Sequence, residues 1–176
     1  MTKMGFETNK RIVKVMNNQR VTAVFNGRKC YFRSKFEYHW ALYLQFLLKC
    51  SKILDWFYEP DLFIFKGEIT APVQYRPDFK VIDTMDGMFP DGITVYQECK
   101  GYHDGSANAK LQRMAKHFPD VIMELVLQRL PRFNKTKGVN RRRVAEKYTH
   151  RIIDASVIFN QLKGVINFDV SKLREL

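Results

Sequence analysis

The sequence predicts an α/β domain, on three observations. A capped helical pattern opens near Ser34, two hairpin-like pairs of β-prone runs lie between residues 53 and 99, and a second helix and a further strand complete the order by residue 129. The 176 residues, with 45% apolar and 14% aromatic side chains, suffice for one well-buried core and are too few for two full domains. One domain is expected, with a core over about 21–130 and a basic helical extension over about 131–176.

The first element is a hairpin. VTAVF and KCYF flank Asn26-Gly27, a dipeptide that takes the left-handed dihedrals of a tight turn. Ser34 and Glu37 then have the spacing of a capping box, and the helix runs to about Lys49. Phe36, Trp40, Tyr43 and Leu47 form one stripe on it; Glu37 heads the neighbouring stripe with Ala41, Leu44 and Leu48. An acid on a core-facing stripe needs a partner, a proton or a metal. Both readings stay open for Glu37: capping-box acid at an exposed first turn, or carboxylate pointing into a site.

Ile53 to Tyr58 reads as a strand closed by Glu59-Pro60, and DLFIF with EITAPVQY as a hairpin around Lys66-Gly67. FKVID and ITVYQEC are the next two strands, joined by a glycine- and acid-rich loop. Alternation sends Thr94, Tyr96, Glu98 and Lys100 to one face, and Ile93, Val95, Gln97 and Cys99 to the other. If these strands pair antiparallel, Asp78 falls near Glu98, because both lie about equally far from the turn. Residues 106–118 are helix-like, with Leu111, Met114, Ala115 and Phe118 as the apolar face, and DVIMELVLQR is a strand. Tyr148, Ile152, Ala155, Phe159 and Leu162 then keep helical spacing, which predicts a last helix over 144–162, serving either as a dimer interface or as cover for its own sheet.

The net charge of +12 favours a polyanionic partner, nucleic acid first and an acidic membrane surface second. Between Arg129 and Arg151 lysines and arginines crowd around a single acid, Glu146. No run of about 18 apolar residues is present, so no membrane-spanning helix is expected, and DNA, with no membrane, is the expected partner. The first residues lack the apolar core of a signal peptide, and three cysteines without a close repeated pair form no disulfide framework or thiolate zinc site. A reduced, cytoplasmic setting is expected.

Phosphodiester hydrolysis needs the nonbridging oxygens neutralised, a water deprotonated and the leaving oxygen stabilised. Asp78 and Glu98 are hard oxygen ligands for Mg2+ or Mn2+, Cys99 offers a backbone carbonyl, and Glu37 a third carboxylate. Lys100, on the face of Glu98, would stand beside the ion and orient or activate water. The plain alternative is a salt bridge on a solvated sheet face.

Pro77-Asp78 followed by Glu98-Cys99-Lys100 resembles the signature of the restriction-endonuclease-like nuclease superfamily, proline-aspartate and then Asp/Glu-x-Lys. The surrounding frame is also similar: Ser34-x-x-Glu37 opens a first helix, Glu59-Pro60 closes a strand, YRPDF opens the central hairpin and ECKG closes it. The likeness covers about residues 30–127 and is to a small phage-type branch, near phage Holliday-junction resolvases and transposase endonuclease subunits. It implies a central mixed sheet flanked by helices, Asp78 and Glu98 as metal ligands, Lys100 as the catalytic lysine, and Glu37 as the helix-borne acid of some members. It also implies an endodeoxyribonuclease dependent on Mg2+ or Mn2+, working in a bacterial host cell if phage-encoded.

DNA contacts are expected from Lys110, Arg113 and Lys116 on the helix after the triad, and from Arg132, Lys135, Lys137, Arg141, Arg142 and Arg143 in the basic run. Three consecutive arginines spread around a helix and suit backbone contact more than base readout. Without an obvious separate reading domain, branched DNA is the expected substrate, cut by a homodimer at a Holliday junction. The alternatives are an endonuclease recruited by a partner for recombination, packaging or transposition, and a noncatalytic DNA-binding protein.

Overall fold

The computed structural model describes residues 20–101, 106–130 and 136–166. In chain order these form β1 (Val21–Phe25), β2 (Arg28–Phe32), α1 (Lys35–Lys49), β3 (Ile53–Tyr58), β4 (Phe63–Ile64), β5 (Gln74–Tyr75), β6 (Phe79–Asp83), β7 (Ile93–Lys100), α2 (Ser106–His117), β8 (Ile122–Leu127), α3 (Thr136–Glu146), β9 (Arg151–Asp154) and α4 (Ala155–Ile166). A mixed sheet in the order β3-β6-β7-β8-β9 is the centre, antiparallel from β3 to β7 and parallel from β7 to β9.

The start of the chain follows the local chemistry. Asn26 and Gly27 take φ of 49° and 74°, so the β1–β2 turn keeps Val21 opposite Phe32. Ser34 caps α1 from an extended backbone: its Oγ accepts the Glu37 N–H at 3.2 Å and donates to the Glu37 carboxylate at 2.9 Å. The carboxylate also takes the Arg33 N–H at 2.9 Å, which completes a capping box shifted by one residue.

Strand alternation then sorts the core onto two faces. Phe79, Val81, Cys99 and Val126 pack with Trp40, Leu44 and the β1–β2 hairpin on one side, covered by α1 and α4. Tyr96, Leu125 and Leu127 pack with Leu111, Met114 and Ala145 on the other, covered by α2 and α3. This is an α/β fold with a central mixed sheet flanked by helices.

Three local expectations need correction. The helix expected over 144–162 is interrupted: α3 ends at Glu146, β9 pairs parallel with β8, and α4 starts only at Ala155. Ile152 packs on the α2 side of the sheet and Ile153 on the α1 side, the period of a strand, and pairing with β8 outweighs the helical spacing. Asp154 closes the strand and opens the helix, its carboxylate accepting the Ser156 N–H at 3.0 Å. Phe159, Ile158 and Leu162 pack onto the α1-side core, so the stripe covers its own sheet. On α2 the buried side chains are Ala107, Leu111 and Met114, whereas Ala115 is exposed. The hairpin around Lys66-Gly67 shrinks to a two-residue ladder, Phe63↔Tyr75 and Ile64↔Gln74.

Candidate active site

The register of β6 and β7 decides which acids meet. Phe79 faces Gln97 and Lys80 faces Tyr96, so the next pair sets Asp78 opposite Glu98. Asp78 sits where β6 begins: its carbonyl accepts the Glu59 N–H at 2.8 Å and its Oδ2 accepts the Cys99 N–H at 2.7 Å. Along β7 the expected alternation holds. Tyr96 joins the α2-side core, Gln97 bonds to Trp40 of α1, and Cys99 joins the α1-side core.

Glu98 is 2% exposed, with Oε1 2.7 Å from Lys100 Nζ and Oε2 accepting the Tyr75 hydroxyl at 2.8 Å. Asp78 is 7% exposed, and its Oδ1 accepts no hydrogen bond among the described residues. Glu37 is buried too, and Tyr58 donates to its Oε2 at 2.7 Å in addition to the two donors at the helix start. It is therefore a buried cap of α1, not one at an exposed first turn, and its charge bears on Asp78.

The carboxylates act on one another. Burial, followed by the charges of Glu98 and Glu37, pushes Asp78 up to about 8 against the opposing pull of the Cys99 N–H and Lys100. Burial raises the Cys99 thiol well above its usual range, reinforced by Asp78, Glu37 and Glu98, so this cysteine is an inert neighbour whose contribution lies in its backbone. Burial and Glu98 likewise keep the Tyr75 phenol protonated, as burial and Glu37 do that of Tyr58; each hydroxyl remains a donor to its carboxylate.

Among the described residues, no three His, Cys, Asp or Glu side chains are grouped closely enough to hold a metal ion as they stand. The pair Asp78 and Glu98 nevertheless fits a small divalent cation in its chemistry. Both ligands are hard carboxylate oxygens, one oxygen of Asp78 is uncommitted, and among the described residues Lys100 is the cation that faces the two buried acids. Glu37, with both oxygens already accepting, contributes charge more than a free lone pair.

The expected DNA contacts separate into groups. Lys110 stays at the site, its Nζ 5.3 Å over the ring of Tyr75. Arg113 is turned inward: it donates to the Thr70 carbonyl at 2.6 Å, to Thr70 Oγ1 at 2.9 Å and to the Pro72 carbonyl, and lies 3.5 Å from Glu68. Lys116 pairs with Glu68 at 2.7 Å and His117 reaches the same oxygen at 3.0 Å, which holds the Glu68 carboxyl down at about 2. These side chains fasten the β4–β5 segment to α2. Arg142 pairs with Glu146 at 2.7 Å, and Arg143 is exposed on α3. Arg132 and Lys135 lie outside the described residues, as do the side chains of Lys137 and Arg141.

Sequence reasoning passed over the roles of Tyr58 and Tyr75 as carboxylate donors, whereas Glu59, readable as the partner of an arginine, pairs with Arg33. Tyr75 opens YRPDF and Tyr58 precedes Glu59-Pro60; aromatic residues with a polar tip directly beside candidate ligands were the available signal.

No protein-family model, curated protein or solved structure matches the chain. No helix among the described residues is long and apolar enough to cross a membrane.

Proposed function

We propose that the chain is a metal-dependent endodeoxyribonuclease of the restriction-endonuclease-like class, using Mg2+ or Mn2+ and acting on branched DNA, a Holliday junction above all, as a homodimer. The observation that carries the reading is the buried facing pair Asp78 and Glu98 with the Lys100 ammonium 2.7 Å from Glu98. A solvated surface ion pair would not be buried to this degree, and crowded buried acids cluster at functional sites.

Asp78 and Glu98 would hold the ion, with the Cys99 carbonyl beside them. Bound there, the ion supplies positive charge for the phosphoryl oxygens and acidifies a water. Tyr75 fixes Glu98 from behind through its buried hydroxyl, and Lys100 carries the proton donor or charge that meets the attacking or leaving oxygen. Lys110, over Tyr75, offers a cation to the approaching backbone.

The test is a cleavage panel of four-way junction, flap, nicked duplex, linear duplex and single strand, each with Mg2+, Mn2+ or chelator. Metal-dependent cutting, strongest on the junction, is expected. Cutting of duplex alone would move the substrate class to a partner-directed endonuclease. Binding without cutting on every form would leave a cationic DNA-binding domain.

A further inference from the structure

We propose that the hollow beside Gly101, between the start of α1 and α4, is a second phosphate site that receives a phosphodiester of the DNA next to the bond being cut. The proposal deepens the hydrolase reading and rests on it for the location of the cut.

The hollow has a volume of about 350 Å³ and is lined by His39 of α1, Gly101, Gln128 and Arg129 after β8, and Asn160 and Lys163 of α4. Among the described residues, no carboxylate lines it. Arg129 and Lys163 are exposed and make no ion pair or hydrogen bond among the described residues, whereas Arg28, Arg33, Lys80, Arg113, Lys116 and Arg151 are each matched to an acid. Two uncommitted cations therefore converge on a concave surface whose other polar groups include two amides. That donor-rich, acid-free composition suits phosphate oxygens.

A contrasting cavity of about 380 Å³ opens near Trp40 and Tyr43, and its wall includes Asp83 and Asp154. Those acids disfavour a polyanion there. The hollow at Gly101 is also placed correctly. Gly101 follows Lys100 directly, and the Gln128 N–H donates to the Lys100 carbonyl at 3.0 Å, so one wall is continuous with the candidate catalytic strand. A Cβ on Gly101 would come 3.3 Å from Gln128 Oε1, so this amide lies against the Gly101 backbone at the rim of the hollow. Gly101 stands three residues beyond Glu98, about 10 Å by the rise of a strand, close to the advance of three phosphates along one strand of a duplex at about 3.4 Å each. A DNA backbone seated in the hollow would cross the end of β7 toward α4, on the sheet face opposite α2 with its Arg113 and Lys116, which Glu68 holds.

The experiment compares the wild type with Arg129→Gln/Lys163→Gln and with a control of equal charge change, Lys29→Gln/Lys49→Gln, all checked for an unchanged melting temperature. Fluorescence anisotropy with a labelled four-way junction in chelator gives affinity against salt. The double variant should lose roughly tenfold in affinity and about one in the slope of log K against log salt, the control neither. A neutral methylphosphonate stepped along the strand should weaken wild-type binding at one position in particular, and this sensitivity should vanish in the double variant. Unchanged affinity and slope, an equal loss in the control, or no position-specific loss would overturn the proposal. Failure of the wild type to cut any DNA with either metal would strike the hydrolase reading instead, since the binding measurements need no cleavage.

Discussion

Replacing Asp78 with asparagine should make the metal-free protein more stable at neutral pH while abolishing cutting. Burial and two neighbouring carboxylates raise the Asp78 carboxyl from its ordinary 3.8 to about 8. Because the folded value lies above the unfolded one, the folded state binds the extra proton between them, and stability falls as pH rises through that window. At about 1.4 kcal/mol per tenfold in the ionisation equilibrium, the loss between about pH 5 and pH 8 is on the order of 4 kcal/mol. The asparagine side chain does not titrate, keeps an oxygen for the Cys99 N–H, and turns an amide donor toward the remaining acids. For a chain of this size each kcal/mol moves the melting temperature by about 2–4 °C, so the variant should gain roughly 8–16 °C on the wild type across that range. Scanning calorimetry in chelator at stepped pH measures it. Added Mn2+ should raise the wild type and leave the variant in place, closing the gap. A melting-temperature difference that stays flat with pH would refute the picture of two buried acids crowding one another.

Two buried hydrogen-bond networks give further expectations. Tyr75→Phe removes the donor to Glu98 Oε2 and should cost about 1–3 kcal/mol in urea unfolding, with weakened Mn2+ affinity as the functional trace. Gln97 links Trp40 Nε1 to Glu124 through bonds of 2.8 Å on each side, so Gln97→Leu should destabilise by roughly 2–5 kcal/mol in the same assay by orphaning both partners.

Elements whose cause is local were legible in the sequence. Asn26-Gly27 dictates its turn by backbone preference, Ser34 and Glu37 close their cap within four residues, and period-two alternation places Glu98 and Lys100 on one face. Asp78 could be set near Glu98 because equal distance from a turn survives folding of a hairpin. What escaped was decided by partners far along the chain. β9 is four residues long, and its two isoleucines also satisfy a helical stripe; only the neighbouring β8 makes it a strand. Arg113 and Lys116 read as free cations until Glu68, on a different element, claims them. Glu37 looked like a choice between an exposed cap and a buried site acid, but Tyr58, brought in by β3, lets the capping carboxylate be buried.

The proposed chemistry requires Asp78 and Glu98 to grip a divalent ion together against a DNA phosphate. An electron paramagnetic resonance titration of Mn2+ into the wild type and Asp78→Ala, read alongside junction cleavage in the same samples, probes that grip without an intermediary. Bound Mn2+ and cut DNA are expected for the wild type, and free Mn2+ with intact DNA for the variant. A variant that still binds the ion and cuts, or a wild type that leaves Mn2+ free and cuts equally well in chelator, would contradict it.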